Sequence, residues 1–125
     1  MKHKLLELPE CKMMARMVKK LNNEWKHLPP LTLEIGESNV FFAEYDSFKL
    51  TIEVSKRYLT EEPLSRPFWK LITLHEYRHH IQLYNECFDL RTLSRYWNWK
   101  KEYTLLEWDA DRWACSEFFA KYCKG

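Results

Sequence analysis

Two histidines four residues apart, with a glutamate directly after the first, are the residues best suited to chemistry in this chain. The stretch reads His75-Glu76-Tyr77-Arg78-His79, an HExxH pattern. On a helix, residues four apart are neighbours on one face. Two imidazole nitrogens held in this way can bind one Zn²⁺ ion at about 2.0–2.1 Å. The glutamate would then lie beside the metal as the general base that takes a proton from bound water.

A catalytic zinc site needs a third protein ligand and an open position. A third histidine in the pattern HExxHxxGxxH is excluded, because Gln82 and Asn85 occupy the last two fixed positions. The sequence EWDAD, which begins at Glu107, supplies carboxylates instead. Glu107 and Asp111 share a helix face, so one could bind zinc while the other accepts the second ring N–H of a ligating histidine. Glu107 is the best candidate for the third ligand, and Asp109 is a rival.

These residues also have purely structural interpretations. Histidines on an inward helix face can be core residues whose ring nitrogens are satisfied by carbonyls, and carboxylates near a helix N-terminus are favourable charges. His80 lies about 100° around the helix from His79, so we expect it at the boundary of the core. Gln82, one turn beyond His79, either hydrogen-bonds near the site or has a packing or solvated role, and the second interpretation is favoured.

Four segments before the HExxH stretch have a regular pattern. Apolar residues recur at three- and four-residue steps from Pro9 to Leu28, which predicts a helix. Leu31–Ile35 alternates between apolar and polar residues, as a half-buried strand does. Val40–Tyr45 and Phe48–Val54 flank Asp46-Ser47, which predicts a hairpin.

The HExxH stretch lies in a predicted long helix. Ser65 is its expected N-cap, Pro67 lies in its first turn, and it continues to about Glu86. A last helix is predicted from about Glu102 to Tyr122. The expected fold is therefore α+β, with residues 1–125 forming a single compact domain. Its elements are an N-terminal helix, a small three-stranded antiparallel sheet, the HExxH helix and a C-terminal helix.

Composition excludes several classes of protein. The 125 residues are 46% hydrophobic and 16% aromatic, which excludes intrinsic disorder. With only 2 glycines, the chain has no Gly-rich phosphate-binding loop. A net charge of +2 neither demands nor excludes nucleic acid.

The lack of a recognisable targeting signal and the pattern of cysteines predict a cytoplasmic protein. No run approaches the roughly 20 apolar residues of a membrane span, and the N-terminus has no secretory apolar region. We therefore expect a cytoplasmic protein that does not bind a membrane. Its four cysteines, which form no CxxC pair, are expected to be reduced and mostly buried. They are Cys11, Cys87, Cys115 and Cys123.

The two motifs together resemble a known family. HEYRH followed about thirty residues later by EWDAD resembles the gluzincin branch of the zincin metallopeptidases. The chain is most similar to the compact ImmA/IrrE-like group, in which a hairpin precedes HExxH and a later helix carries an ExEAN-type motif. The resemblance covers about residues 31–120, and no segment matches the helix-turn-helix domain of some relatives.

The resemblance implies roles for individual residues. His75 and His79 would be zinc ligands, Glu76 the general base and Glu107 the third ligand. Asp111 stands where the relatives often have asparagine, so its role as partner of a ligand departs from the family pattern.

The function expected from these residues is zinc-dependent hydrolysis of peptide bonds. The substrate, a peptide or protein, would lie extended along an edge of the sheet. One alternative is a zincin-like binding or regulatory module without proteolytic activity. Another is a nucleic-acid-associated protein, because basic and aromatic residues are interleaved in Arg91–Lys101. Nucleic acid is not the favoured partner, since such aromatics more often pack over a core.

Overall fold

A computed structural model describes residues 2–85 and 99–123. The segment Arg91–Lys101 lies outside the described residues, apart from the backbone at its end. The fold is α+β, as predicted. In chain order its elements are α1 (Lys2–Leu5), α2 (Pro9–Glu24), β1 (Thr32–Gly36), β2 (Ala43–Asp46), β3 (Thr51–Ser55), α3 (Lys56–Thr60), α4 (Arg66–Tyr84) and α5 (Trp99–Tyr122).

The sheet is mixed, so the prediction of an antiparallel sheet is wrong for one of its strands. The strand order is β1-β3-β2. β3 pairs antiparallel with β2 but parallel with β1. β3 takes the centre because side chains on both of its faces are buried, among them Thr51, Ile52 and Val54. Alternation of apolar residues predicts which face of a strand is buried, but it does not identify the neighbouring strand.

The predicted hairpin is confirmed, but its turn is longer than expected. β2 and β3 pair antiparallel on either side of a turn that extends to Leu50. The Asp46 carboxylate accepts the backbone N–H groups of Phe48, at 2.9 Å, and Lys49, at 3.0 Å. Leu50 has a left-handed backbone, with φ of 56°. Phe48, which was predicted to lie in the strand, is therefore in the turn and is 90% exposed.

α2 packs its apolar face against α4 and β1. This helix was predicted to reach Leu28, but it ends at Glu24. Asn22, near its end, joins it to the sheet, because its side chain accepts from the N–H of Leu31 and donates to the C=O of Leu31. The buried residues of α2 are Cys11, Met14, Met17, Val18 and Leu21.

α4 is the long helix that the sequence predicted. The Ser65 hydroxyl accepts the backbone N–H of Phe68 at 3.4 Å, and Pro67 lies in the first turn. The helix ends at Tyr84, near the expected boundary. α4 also packs along α5 and against β2. This packing brings the HExxH stretch, the hairpin and the acidic motif of α5 together.

The cysteines depart from expectation. Cys11 is buried, but Cys115 and Cys123 are exposed. All three are free thiols, and Cys87 lies outside the described residues. The prediction of mostly buried thiols is thus wrong for Cys115, which lies on the exposed side of the last helix, and for Cys123, which follows the end of that helix.

In the part of the chain described here, no helix combines the length and the apolar character needed to cross a membrane.

Candidate metal centre

Three of the sequence-predicted site residues converge on one point between α4 and α5. The Nε2 atoms of His75 and His79 are 3.2 Å apart. The Glu107 carboxylate spans the pair, with Oε2 at 2.8 Å from Nε2 of His75 and Oε1 at 2.8 Å from Nε2 of His79. One ligand atom from each residue can be chosen so that all lie within 4.8 Å of one another. This cluster could hold a metal ion.

The hydrogen bonds of Gln82 determine which nitrogen of His79 carries a proton. Its amide nitrogen donates to the carbonyl of Leu106, at 2.9 Å, and to the carboxylate of Asp109, at 2.8 Å. The amide oxygen therefore faces Nδ1 of His79, at 2.9 Å, and can only accept. Nδ1 must be the donor, so neutral His79 presents the lone pair of Nε2 to the cluster.

His75 is held in the same tautomer by a different partner. Its Nδ1 lies 2.7 Å from the carboxylate of Asp111, which can only accept when ionised. Neutral His75 therefore also directs the lone pair of Nε2 toward Glu107. Such carboxylate or amide partners on the second ring nitrogen are typical of metal-binding histidines.

Lone pairs that face one another at these distances require a positive charge between them. Protons can provide this charge. Burial opposes the charged form of His75, but the hydrogen bond to Glu107 and the charges of the neighbouring carboxylates outweigh the effect of burial. Together they raise the pKa of His75 to about 9. Burial would raise the pKa of Glu107, yet hydrogen bonds from both histidines hold it well below its usual range.

Zinc would also suit the cluster. In a tetrahedron with Zn–N distances of about 2.0–2.1 Å, ligand atoms are about 3.3–3.4 Å apart. The two nitrogens, 3.2 Å apart, are already close to that separation. Each of them lies 2.8 Å from a Glu107 oxygen, so the carboxylate would have to move away by about 0.5 Å to admit the ion.

Asp109, the rival ligand, is not brought to the cluster. Its carboxylate pairs with Arg78, with Oδ2 at 2.8 Å from Nε, and also accepts from Gln82. Asp109 is thus linked to His79 by hydrogen bonds through Gln82. From the sequence, a packing or solvated role is favoured for Gln82 and no role is expected for Arg78, so this link departs from the prediction. The signal that could have identified Gln82 was its position one turn beyond His79 on the same face.

Glu76 lies beside the cluster. One carboxylate oxygen, Oε1, accepts the backbone N–H of Tyr45 in β2 at 2.8 Å. The other, Oε2, lies 3.7 Å from Nε2 of His75. Burial raises the pKa of this carboxyl, although the nearby histidines oppose the shift. Glu76 is therefore oriented by the sheet toward the point where the ligand atoms converge.

Two clefts meet at the cluster and share a wall that includes Phe41, Ala43, Glu76 and Glu107. The smaller, of about 320 Å³, runs along β2 past Glu44 and His79. The larger, of about 550 Å³, contacts His75 and is mostly apolar. Its apolar lining includes Val40, Phe41, Phe42, Phe68, Leu71 and Ile72.

His80 is a core residue, so its predicted position at the core boundary is wrong. Its side chain is completely buried. Nε2 lies 2.7 Å from the carbonyl oxygen of Pro29, to which it donates. Nδ1 lies 2.7 Å from the hydroxyl of Tyr45, which donates to it. Burial lowers the pKa of His80, in keeping with a neutral ring.

Comparisons with protein-family models, with curated proteins and with solved structures find no match for this chain.

Proposed function

We propose that this protein is a zinc-dependent peptidase. The observation that carries the proposal is the convergence of the His75, His79 and Glu107 ligand atoms while Nδ1 of each histidine is engaged elsewhere. The order of hairpin, HExxH helix and acidic helix supports the resemblance to compact zincins. A cytoplasmic location remains a prediction from the sequence.

The donor set favours zinc in a catalytic setting. Two imidazoles and one carboxylate are typical of catalytic zinc sites, which keep a fourth position open for water or substrate. The clefts beside the cluster give such a position access to solvent. Bound zinc would lower the pKa of water and polarise a carbonyl group.

Glu76 is the proposed general base. The N–H of Tyr45 holds Oε1, which leaves Oε2 to take a proton from the attacking water. A buried carboxylate with a raised pKa is a stronger base than an exposed one. The same oxygen would then return the proton to the leaving amine of the substrate.

β2 is the proposed binding strand for the substrate backbone, because one of its edges pairs with no other strand among the residues that the structure describes. Backbone groups of a strand alternate between its two edges. The carbonyl of Phe42 accepts from Ser55 in β3, whereas the N–H of Tyr45 points away from β3 to Glu76. The N–H and C=O of Ala43 therefore face the open edge, where an extended peptide could pair with them.

The larger cleft favours a substrate with a bulky apolar side chain beside the bond that is cleaved. In the wall of this cleft, Phe42 packs edge-on against Phe68 and Tyr58, with ring centroids 5.4 and 4.7 Å apart. His75 lines the same cleft, so an apolar side chain bound there would lie next to the cluster.

Zinc binding is tested by elemental analysis of protein purified without chelator. We expect one zinc per chain, lost in Glu107→Ala and retained in Asp109→Ala. Equal zinc affinities of the two variants would reject Glu107 as the ligand. A wild-type protein that neither carries zinc nor takes it up would contradict the whole proposal.

Catalysis is tested by cleavage of a mixed peptide library. General acid–base groups typically contribute about 10²–10⁴-fold, so Glu76→Gln should lose at least that factor. It should keep its zinc, because the ligands are unchanged. Glu61→Gln, at an exposed position just after α3, is the matched control and should cleave as the parent does. Cleavage by Glu76→Gln at the parent rate would reject the mechanism, and zinc binding without cleavage by either form would favour a binding module.

A further inference from the structure

The solvent face of α2 is strongly basic. Lys12, Arg16, Lys19 and Lys20 are all exposed on this helix, and exposed Lys26 follows its end. Their spacing of about one helical turn places them along one side, opposite the buried apolar residues of α2. We call these five residues the basic face.

The cations of the basic face have no carboxylate partner among the residues that the structure describes. Glu24, on the same helix, is already engaged, because both of its carboxylate oxygens accept from Lys121, at 2.8 and 3.0 Å. Like charges one turn apart, such as Lys12 and Arg16, destabilise a helix. The basic face therefore contributes nothing evident to folding.

A second patch of cations continues the basic face onto α4. Two shallow surface depressions, of about 560 and 430 Å³, both include Arg16. The second also includes Arg66 and Lys70, with Glu7 as its one carboxylate. The overall net charge of +2 thus conceals a marked segregation of charge.

We infer that the basic face binds the phosphate backbone of duplex DNA. From Lys12 to Lys20 it extends about 12 Å along α2 at 1.5 Å per residue, and Lys26 continues it just beyond the end of the helix. Over that length duplex DNA carries one negative charge per about 1.7 Å of axis. The wide major groove of B-form DNA admits an α-helix, whose cations can then contact the phosphates along the groove, whereas the major groove of A-form RNA is deep and narrow.

The composition of the face argues against other polyanions. Single-strand binders stack bases on aromatic side chains, and membrane-surface helices insert apolar ones. Among the described residues, no exposed large hydrophobic side chain lies on α2. The remaining mode of binding is contact between these cations and the phosphate backbone of a duplex. Binding should therefore be insensitive to the DNA sequence.

The experiment is fluorescence anisotropy with a labelled mixed-sequence DNA duplex across salt concentrations. Five phosphate contacts predict a slope of log affinity against log salt near −4.5, about 500-fold between 50 and 200 mM salt. Lys19→Ala/Lys20→Ala should reduce the slope by about 2. Lys49→Ala/Lys56→Ala, which removes the same charge from exposed positions outside both depressions, should leave the slope unchanged. Thermal unfolding confirms that both variants fold.

Several outcomes would overturn the inference. One is an equal reduction of the salt slope in both double variants, which would show that binding responds only to the net charge of the protein. Others are tighter binding to single strands, to an RNA duplex or to anionic vesicles than to duplex DNA. Because the basic face contains none of the proposed zinc ligands, binding should persist after chelation, and a failure here leaves the proposed peptidase untouched.

Discussion

His79 and His80 are adjacent in the chain but lie in two different environments. His79 points between α4 and α5, where Nε2 faces the lone pairs of His75 and Glu107. His80 points into the core, where Tyr45 donates to one ring nitrogen and the other donates to the carbonyl of Pro29. Both side chains are buried, so burial does not distinguish them.

The difference is whether the polar atoms around each ring are complementary. A neutral imidazole has one donor and one acceptor. The surroundings of His80 offer one acceptor and one donor, so the ring needs nothing more. The surroundings of His79 offer acceptors to both ring nitrogens, but a neutral ring can donate to only one of them. A proton or a metal ion must therefore supply positive charge at the other nitrogen. A histidine whose partners cannot be satisfied by the neutral ring is the better candidate for a metal ligand.

The largest expected effect is on zinc affinity when His79 is removed. Sharing an apparent binding free energy of about 10–16 kcal/mol among three ligands predicts a loss of about 10³-fold for His79→Ala. His80→Ala should bind zinc with little change. Competition with a chromophoric chelator measures both affinities. Similar losses of zinc affinity in the two variants would contradict the assignment of His79, and not His80, as a metal ligand.

The second effect is on stability when His80 is removed. His80→Ala leaves a cavity, and the hydroxyl of Tyr45 and the carbonyl of Pro29 lose their partner, so we expect a loss of about 2–4 kcal/mol in the free energy of unfolding. Urea denaturation of chelator-treated protein measures it without a contribution from zinc. His27→Ala, at an exposed histidine, is the control and should change stability by less than about 0.5 kcal/mol. A loss no larger than that of the control would mean that His80 is not a core residue.

A smaller effect is expected from Asp111, which orients His75. Removing such a partner typically costs about 10–100-fold in metal affinity, so Asp111→Ala should bind zinc that much more weakly. The same chelator competition measures this loss. Asp111→Asn keeps an acceptor for Nδ1 and should recover most of the affinity. No recovery in Asp111→Asn would indicate that charge, rather than orientation, is what Asp111 supplies.

The smallest effect concerns the start of α4. Ser65→Ala removes the N-cap and should cost about 0.5–1 kcal/mol, the lower part of the usual range because its hydrogen bond is long. Ser65→Asp restores a capping acceptor and should be close to the parent. Zinc affinity should not change in either variant. A change in zinc affinity would show that the helix start and the cluster are coupled.

Most helices and strands could be predicted from local patterns. The apolar repeat of α2 and the Ser65 cap of α4 reflect interactions within one element, so a single segment contains the information. The strand boundaries were less accurate. The turn that places Phe48 in solvent depends on hydrogen bonds to Asp46, which alternation alone does not show.

The candidate site was predictable only where its residues lie on one helix. The spacing of His75 and His79 places them on a common face, and that of Glu107 and Asp111 does the same on α5. The placement of Glu107 rather than Asp109 against the histidines depends on how α5 is rotated relative to α4. Pairing of Arg78 with Asp109 is part of that packing, and no local pattern contains it.

By itself, the sequence determined which side chains could share a helix face and which segments would be helix or strand, because these depend on backbone periodicity over a few residues. The tertiary structure alone decided the parallel pairing of β1, the buried state of His80, and the link from Asp109 through Gln82 to His79. Each of these depends on which surfaces meet when distant segments pack. Partners for buried polar groups come from other elements, so they appear only when those elements are in place.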